Sequence, residues 1–172
     1  MEVGVLLHEA TVPDDIPELA PVMADWADRV ERRRPLLPEV DSGLVDVTVA
    51  TMRAAGAAPR RVLLHGDLNP SNVLRAERGW LATDPKAMAG DPGYDGCRIV
   101  LQLDPDPDRD PVTVFGDRIR AMASHLSCEP DHIARWCVAD MVAGALWLAE
   151  VGDLVEARRR AALLPIVAPH LG

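Results

Sequence analysis

Apolar residues recur at intervals of three or four along most of this chain, the spacing of helices that bury one face. The first long helix is predicted to begin at residues 14–17 and to run to residue 34. Its apolar face comprises Ile16, Leu19, Met23, Trp26 and Val30. Pro21 falls within the first turns, where it can move the start of the helix. The three arginines at 32–34 are interpreted as a solvated helix C-terminus rather than a functional basic patch.

The same spacing predicts further helices. Asp41 or Ser42 can cap a helix that runs to Gly56, although β-branched residues at 45, 47, 48 and 49 leave a strand as the alternative. Later helices are predicted over residues 94–103, 114–126 and 130–151, and after Asp153 up to the prolines at 165 and 169. Residues 2–9 have the pattern of a helix end, and the alternating Asp and Pro residues at 104–111 predict a solvated loop.

Short strands interrupt the helices. Residues 60–64 are predicted to be a strand that ends in an apolar run at 62–64, and Pro59 marks its boundary. Two more strands, at 73–75 and 80–83, flank residues 76–79, whose composition is typical of a hairpin turn. Residues 85–90 are predicted to be a loop. The fold class is therefore α+β, mostly helical, with a small β-hairpin.

Composition narrows the class of protein. The 172 residues are 48% hydrophobic, enough for one domain with a substantial core. The net charge of −9 argues against nucleic acid as a partner, because phosphate binding needs clustered cations. It would attract cationic ligands, or serve solubility alone. The three cysteines form no Cys-x-x-Cys pair, and no signal peptide or membrane-spanning run occurs, so a reduced, cytoplasmic protein is expected.

The loop after the first strand carries His65, Asp67 and Asn72 at offsets of two and five residues. These are the offsets of the catalytic loop of protein kinases, where the Asp accepts the substrate hydroxyl proton and the Asn holds Mg²⁺. Phosphoryl transfer needs the hydroxyl aimed at the γ-phosphate and the phosphate charge neutralised. Asp67 is the candidate base or orienting group. Asn72 is the candidate Mg²⁺ ligand, and Asp84, just past the second hairpin strand, is the second.

Two neighbouring residues are assigned supporting roles. His65 is expected to hold the loop by hydrogen bonding or packing rather than to transfer protons. Lys86, the one lysine of the chain, lies two residues beyond Asp84. Two roles for it remain open: a contact to phosphate, or an exposed lysine paired with a nearby carboxylate. The chain contains no glycine-rich phosphate-binding motif.

Three runs of residues, at 65–72, 80–86 and 90–95, together resemble the aminoglycoside phosphotransferase superfamily, and within it the streptomycin and hydroxyurea resistance kinases. The second run contains Asp-Pro-Lys and the third is Gly-Asp-Pro-Gly-Tyr-Asp. The resemblance implies that Asp67 is catalytic and that Asn72 and Asp84 bind the Mg²⁺ of the nucleotide complex. It also implies that Asp95 supports the catalytic loop through the loop's backbone.

The resemblance further implies a protein-kinase-like C-terminal lobe over residues 1–172, beginning just after the hinge, without the N-terminal lobe that covers the nucleotide. The implied activity is ATP-dependent transfer of the γ-phosphate to a hydroxyl of a small molecule, an aminoglycoside such as streptomycin or a hydroxyurea-like compound. A separate chain could supply the N-terminal lobe. The sequence departs from the usual family pattern at Asn69, Thr83 and Gly96-Cys97, where His, an apolar residue and Leu-Ala are usual.

Two alternatives remain beside this interpretation. The first is a non-catalytic remnant or binding module that keeps the same fold. The second is a metal hydrolase built on Asp67, Asp84 and Asp91, although that arrangement would leave Asn72 and the spacing from His65 unexplained.

Overall fold

The computed structural model describes residues 7–58, 60–77, 79–102 and 108–172. The α-helices are α1 (Leu19–Arg33), α2 (Ser42–Arg53), α3 (Gly93–Gln102), α4 (Pro111–Leu126), α5 (Pro130–Glu150), α6 (Leu154–Ala161) and α7 (Leu164–Val167). The strands are β1 (Val62–Leu64), β2 (Val73–Ala76), β3 (Gly79–Ala82) and β4 (Met88–Gly90). Residues 7–9 are helical. Five parts of the predictions lie outside the described residues: residues 2–6 of the predicted helix end, Pro59, Arg78 of the hairpin turn, the last residue of the predicted helix 94–103, and residues 104–107 of the Asp/Pro loop.

Helix α5 runs through the centre of the hydrophobic core. Its buried residues include Ile133, Trp136, Val142 and Leu146, and they occupy every side of the helix. A helix that is apolar all round needs neighbours all round, and α1, α2, α3, α4 and α6 pack against it. Burial of each large apolar side chain contributes about 1.5–3 kcal/mol. Helix α5 is therefore the scaffold on which the other elements are placed.

Two antiparallel pairs of strands lie beside the helices. β1 pairs with β4, with Val62 opposite Gly90. β2 pairs with β3 as the predicted hairpin, with Val73 opposite Ala82. The loop that joins β1 to β2 contains the His-x-Asp motif, so the motif lies between the two sheets.

Strand β4 corrects the prediction of a loop over residues 85–90. Its residues, Met88, Ala89 and Gly90, have weak β propensity, and the strand exists because of distant partners. β1 pairs along one edge. On the other edge the Ala89 backbone N–H donates to the Pro17 carbonyl at 2.8 Å.

The first long helix begins at Leu19, later than predicted. Pro17 and Glu18 are extended because they pair with Ala89, and Pro21 then lies in the first turn, where its missing N–H costs no helix hydrogen bond. The prediction that Arg33 is solvated is wrong. Arg33 is 6% exposed and forms an ion pair with Glu150 at the end of α5.

Residues 42–53 form a helix, not the alternative strand. Asp41 caps α2 by accepting hydrogen bonds from the backbone N–H groups of Gly43 at 2.8 Å and Leu44 at 3.2 Å. Thr48 fits the helix because its hydroxyl donates to the Leu44 carbonyl at 2.8 Å. The α-helix ends at Arg53, and a 3₁₀ turn extends it over Ala54–Ala57, past the predicted end at Gly56.

The predicted last helix is divided in two. Asp153 caps α6 as expected, through the Glu156 backbone N–H at 3.1 Å. Helix α6 then stops at Ala161, four residues before Pro165, because a proline ring clashes with the carbonyl four residues earlier in a continuous helix. Pro165 instead lies in the first turn of α7.

Two further findings concern the class of protein. Among the described residues, no helix is both long and apolar enough to cross a lipid bilayer. Cys97, Cys128 and Cys137 are all free thiols.

Candidate active site

The loop that follows β1 makes a close backbone contact at Gly66. Gly66 has φ of +80°, and a Cβ there would lie 2.1 Å from the Lys86 carbonyl oxygen. A hydrogen bond of 2.8 Å from the Lys86 N–H to the His65 carbonyl joins the same two segments. Only glycine allows both this backbone conformation and this approach. The segment after Asp84 is therefore fixed against the His-x-Asp loop.

Asp95, in the first turn of α3, binds the backbone of this loop. Its carboxylate accepts hydrogen bonds from the N–H groups of His65 at 2.8 Å and Gly66 at 3.0 Å. The side chain is 1% exposed, so these charge-assisted hydrogen bonds are shielded from water. They are the contacts expected of a residue that supports the loop.

His8 also lies against Asp95, with 3.4 Å from Nε2 to Oδ2. No role for His8 was predicted from the sequence, because no local pattern connects it to Asp95, which is 87 positions away.

His65 joins the loop to the hairpin. The buried imidazole accepts a hydrogen bond at Nδ1 from the Asp67 backbone N–H, at 3.3 Å. The ring proton therefore belongs on Nε2, which donates to the Thr83 carbonyl at 3.0 Å. Both ring nitrogens thus contact this chain's own backbone, which agrees with a supporting role rather than with proton transfer.

The Asp67 carboxylate is partly exposed, with 20% of the side chain accessible, and faces two cations. Lys86 Nζ lies 2.8 Å from Oδ2 and Arg98 Nη1 lies 3.4 Å from Oδ1. The hydrogen bond from Lys86 is the main reason that the pKa of Asp67 lies below its usual value, and Arg98 adds to the effect. Asp67 is consequently ionised at neutral pH and able to accept a hydrogen bond from a hydroxyl.

Two asparagine amides fix the backbone of Asp67. The Nδ2 atoms of Asn69 and Asn72 donate to the Asp67 carbonyl at 3.0 and 2.9 Å. Asn69 also caps the 3₁₀ turn Pro70–Asn72 by accepting from the Ser71 N–H at 3.0 Å. Asn69, at a position where the family usually has His, therefore stabilises the turn that presents Asn72. The amide oxygen of Asn72 is its candidate cation ligand.

Asp84 lies next to the residue that faces Asn72. The Thr83 N–H donates to the Asn72 carbonyl at 2.9 Å, which continues the β2–β3 pairing by one step. Asp84 then adopts a left-handed φ of +54°, uncommon for a residue other than glycine. This turn directs the chain back towards Lys86, whose pKa is raised mainly by its hydrogen bond to Asp67, with the charge of Asp84 contributing.

The candidate ligands suit a magnesium ion, and they do not form a cluster of several carboxylates. Asn72 and Asp84 offer hard oxygen donors, which Mg²⁺ binds while it keeps several waters. No three His, Cys, Asp or Glu side chains of the described residues form a group able to hold a metal.

Asp91 cannot serve the hydrolase alternative, because its carboxylate is 2% exposed and already bound. It accepts hydrogen bonds from Trp136 at 2.8 Å and from the Gly93 N–H at 2.8 Å, and lies 2.9 Å from His132 Nε2.

Arg98 is a site residue that the sequence analysis did not identify. It lies 3.4 Å from Asp67, and its guanidinium carbon lies 5.6 Å from the centre of the Tyr94 ring. Its position one helical turn after Asp95 is the signal that could have placed it on the same side of α3 as the loop.

Residues 6–152 match the family described as aminoglycoside/hydroxyurea antibiotic resistance kinase. The chain belongs to this family. The match confirms the resemblance found in the three sequence runs, and it extends from the helical segment before α1 to the end of α5.

Three curated relatives are named as kinases of streptomycin or as a phosphotransferase of hydroxyurea. The chain is 38% identical over 104 residues to streptomycin 3''-kinase of Klebsiella pneumoniae, covering 56% of this chain and 38% of the relative. It is 32% identical to streptomycin 6-kinase of Streptomyces glaucescens, and the match covers 81% of this chain and 42% of the relative. It is 29% identical to hydroxyurea phosphotransferase of Kitasatospora aureofaciens, and the match covers 91% of this chain and 41% of the relative. The chain thus spans less than half the length of each of these relatives.

Solved structures show that the fold is kinase-like. LicA in complex with AMP superposes with a TM-score of 0.61 at 17% identity, covering 98% of this chain and 60% of LicA. Choline kinase of Cryptosporidium parvum superposes with a TM-score of 0.54 at 14% identity, covering 97% of this chain and 63% of the choline kinase. The predicted mostly helical, kinase-like fold is confirmed at this level.

Proposed function

We propose that this chain forms the C-terminal, substrate-binding lobe of an ATP-dependent O-phosphotransferase of small molecules. The reaction would transfer the γ-phosphate of ATP to a hydroxyl of an antibiotic, an aminoglycoside such as streptomycin or a hydroxyurea-like compound. Names of the relatives support this substrate class. The observation that carries the proposal is the partly exposed Asp67 carboxylate on a loop fixed by Asp95 and Asn72.

Asp67 would receive the substrate hydroxyl. Its carboxylate would accept the hydrogen bond that aims the oxygen at the γ-phosphorus, and would take the proton as the new O–P bond forms and ADP departs with the electrons of the broken O–P bond. A lowered pKa keeps Asp67 ionised for the first of these tasks. The fixed loop contributes by orientation, because a positioned hydroxyl needs no search at the moment of reaction.

Asn72 and Asp84 would hold Mg²⁺ with the ATP phosphates. Their amide and carboxylate oxygens are donors of the hard type that this ion prefers. Bound Mg²⁺ would neutralise phosphate charge. Lys86 pairs with Asp67 in this structure, so a contact from Lys86 to phosphate requires its ammonium to leave Asp67 when ATP and substrate bind.

An N-terminal lobe, in the same polypeptide or as a separate chain, would cover the nucleotide. Exposed apolar side chains on the hairpin support this part of the proposal. Leu74, Trp80 and Leu81 are each more than half exposed, and they follow Asn72 and precede Asp84 along β2 and β3. A covering lobe would exclude water from the phosphates.

The activity test measures phosphorylated product by mass spectrometry with Mg²⁺-ATP and either streptomycin or hydroxyurea. The chain is assayed alone and together with the N-terminal half of the Streptomyces glaucescens streptomycin 6-kinase. Asp67→Asn is expected to lower kcat by about 10²–10⁴-fold, the usual contribution of a general base. Asp25→Asn, at an exposed ion pair on α1, is the matched control. Full turnover by Asp67→Asn would contradict the proposal.

A binding module without turnover is the second candidate. One observation favours it: Lys86 and Arg98 already engage both oxygens of Asp67. Calorimetry separates the two candidates, because a binding module would bind Mg²⁺-ATP or the antibiotic without yielding product under any of the assay conditions.

A further inference from the structure

A cavity of about 170 Å³ is lined by residues of α1, α2, α3, α5 and α6, among them Arg98 and Asp140. Arg98 links this cavity to Asp67, since it lies 3.4 Å from Asp67 through Nη1 and 3.6 Å from Asp140 through Nε. Tyr94 lines the cavity beside Arg98, and Trp26 and Trp147 add two further aromatic faces. A molecule in this cavity would contact Arg98, which also pairs with the carboxylate that is proposed to receive the hydroxyl.

The charges of the cavity are set by two arginines and one acid. Among the described residues that line it, Asp140 is the one carboxylate. Arg160 Nη2 lies 2.6 Å from Asp140 Oδ2, while Arg98 approaches Oδ1. The lining therefore carries a net charge of +1, and the acid is already shared by two guanidinium groups.

Gly144 fixes this arrangement. A Cβ at Gly144 would lie 2.6 Å from Arg160 Nε, so glycine leaves room for the guanidinium that reaches Asp140. The Nε atoms of Arg98 and Arg160 are buried and donate no hydrogen bond within the described residues. The two arginine side chains as a whole are 27% and 36% exposed, so the cavity offers guanidinium groups and aromatic faces to a ligand, but no free carboxylate.

We propose that this cavity holds the body of the phosphate acceptor, and that Arg98 and Arg160 make it select small uncharged hydroxyl compounds over multiply charged cations. The inference rests on the proposed function and names which of its two substrate classes this chain takes. A carbonyl oxygen of a neutral acceptor can accept from the guanidinium groups, while its planar part packs on the indole rings. A cation meets net positive charge and finds Asp140 occupied, and such a mismatch lowers affinity for the wrong ligand.

The size of the cavity also favours a small acceptor. Pockets for drug-sized ligands measure about 300–1,000 Å³, whereas this one measures about 170 Å³. A small acceptor, or one ring of a larger one, fits such a volume.

The test compares hydroxyurea with its positively charged isostere hydroxyguanidine, at a pH where the latter is protonated. Titrations of the whole chain are followed by NMR on the indole N–H signals of Trp26 and Trp147. Hydroxyurea is expected to shift both signals and to bind about fivefold more tightly than hydroxyguanidine, the effect of one unit charge at 4 Å in a water-like dielectric.

Two variants and a control separate charge from shape. Arg160→Gln should reduce the preference for hydroxyurea about fivefold, because Asp140 becomes available to the cation. Asp140→Asn should increase the preference, because it raises the net charge. Arg159→Gln makes the same charge change as Arg160→Gln at an exposed position of α6 and should leave the preference unchanged.

Three results would overturn the inference. They are equal or tighter binding of hydroxyguanidine by the unaltered chain, a preference that Arg160→Gln and Asp140→Asn do not move in opposite directions, and titrations in which neither indole signal shifts. Phosphorylation of streptomycin by the chain could persist in each case. Failure of this inference is therefore distinguishable from failure of the proposed function.

Discussion

Lys86 Nζ lies 2.8 Å from Asp67 Oδ2, so the one lysine of the chain is paired with the carboxylate proposed to receive the substrate hydroxyl. The pair joins the segment after Asp84 to the His-x-Asp loop. It also satisfies one of the two roles left open for Lys86, pairing with a nearby carboxylate, while a phosphate contact remains a prediction.

Replacing Lys86 tests what the pair does. Lys86→Met is expected to raise the pKa of Asp67 towards its ordinary value, because the hydrogen bond from Lys86 is the largest cause that lowers it. A contact to phosphate additionally predicts a KM for ATP at least about fivefold higher, with recovery in Lys86→Arg, which keeps the charge. NMR titration of the Asp67 carboxyl carbon and steady-state kinetics measure the two effects. An unchanged KM for ATP would exclude the phosphate contact.

The same pair predicts a pH dependence of stability. The pKa of Asp67 is lower in the folded chain than in the unfolded chain, so the contribution of the pair is present above the unfolded value, about 3.9, and is lost as the pH falls through the folded value. The difference in unfolding free energy between the unaltered chain and Lys86→Met should therefore shrink on acidification. Urea unfolding at several pH values measures it. A difference that grows towards acid would contradict the assignment.

Gly66, the one glycine of the His-x-Asp loop, is predicted to be difficult to replace. Gly66→Ala meets both a positive φ and the Lys86 carbonyl at 2.1 Å. Gly152→Ala is the matched control, because Gly152 has a similar φ of +89° and no atom within 4 Å of its added Cβ. The control should cost about 1 kcal/mol of unfolding free energy, and Gly66→Ala about 2 kcal/mol or more beyond it. Equal costs would show that the segments separate freely.

Asp95 is predicted to stabilise the loop rather than to react. Asp95→Ala leaves the N–H groups of His65 and Gly66 buried without their acceptor, which is expected to cost about 2–4 kcal/mol of unfolding free energy. Hydrogen exchange at these two amides should accelerate more than at Leu64. Asp46→Ala, which removes an exposed carboxylate, is the control. Unchanged exchange at both amides would contradict the role of Asp95.

Local sequence patterns were sufficient for the residues of the motif. His65, Asp67 and Asn72 are separated by fixed offsets within one loop, and Asp84 follows a hairpin strand, so spacing alone indicates that they belong together. The amphipathic helices were found for the same reason, because a helical repeat is a property of neighbouring residues.

Contacts between distant segments were not predictable in this way. Strand β4 is composed of Met, Ala and Gly and forms through pairing with β1 and Pro17. Arg33 appeared solvated because its partner Glu150 is 117 positions away. The Arg98, Asp140 and Arg160 cluster likewise draws on three helices, and a single sequence gives no signal that links them.

The central claim is that Asn72 and Asp84 hold one divalent ion beside Asp67. Mn²⁺ with ATP, followed by paramagnetic broadening of backbone amide signals, tests it most directly because Mn²⁺ accepts the same oxygen ligands as Mg²⁺. We predict selective broadening at residues 67, 72 and 84, lost in both Asn72→Ala and Asp84→Ala and kept in Asp25→Asn. Broadening that survives both substitutions, or that centres on other acidic residues, would contradict the account.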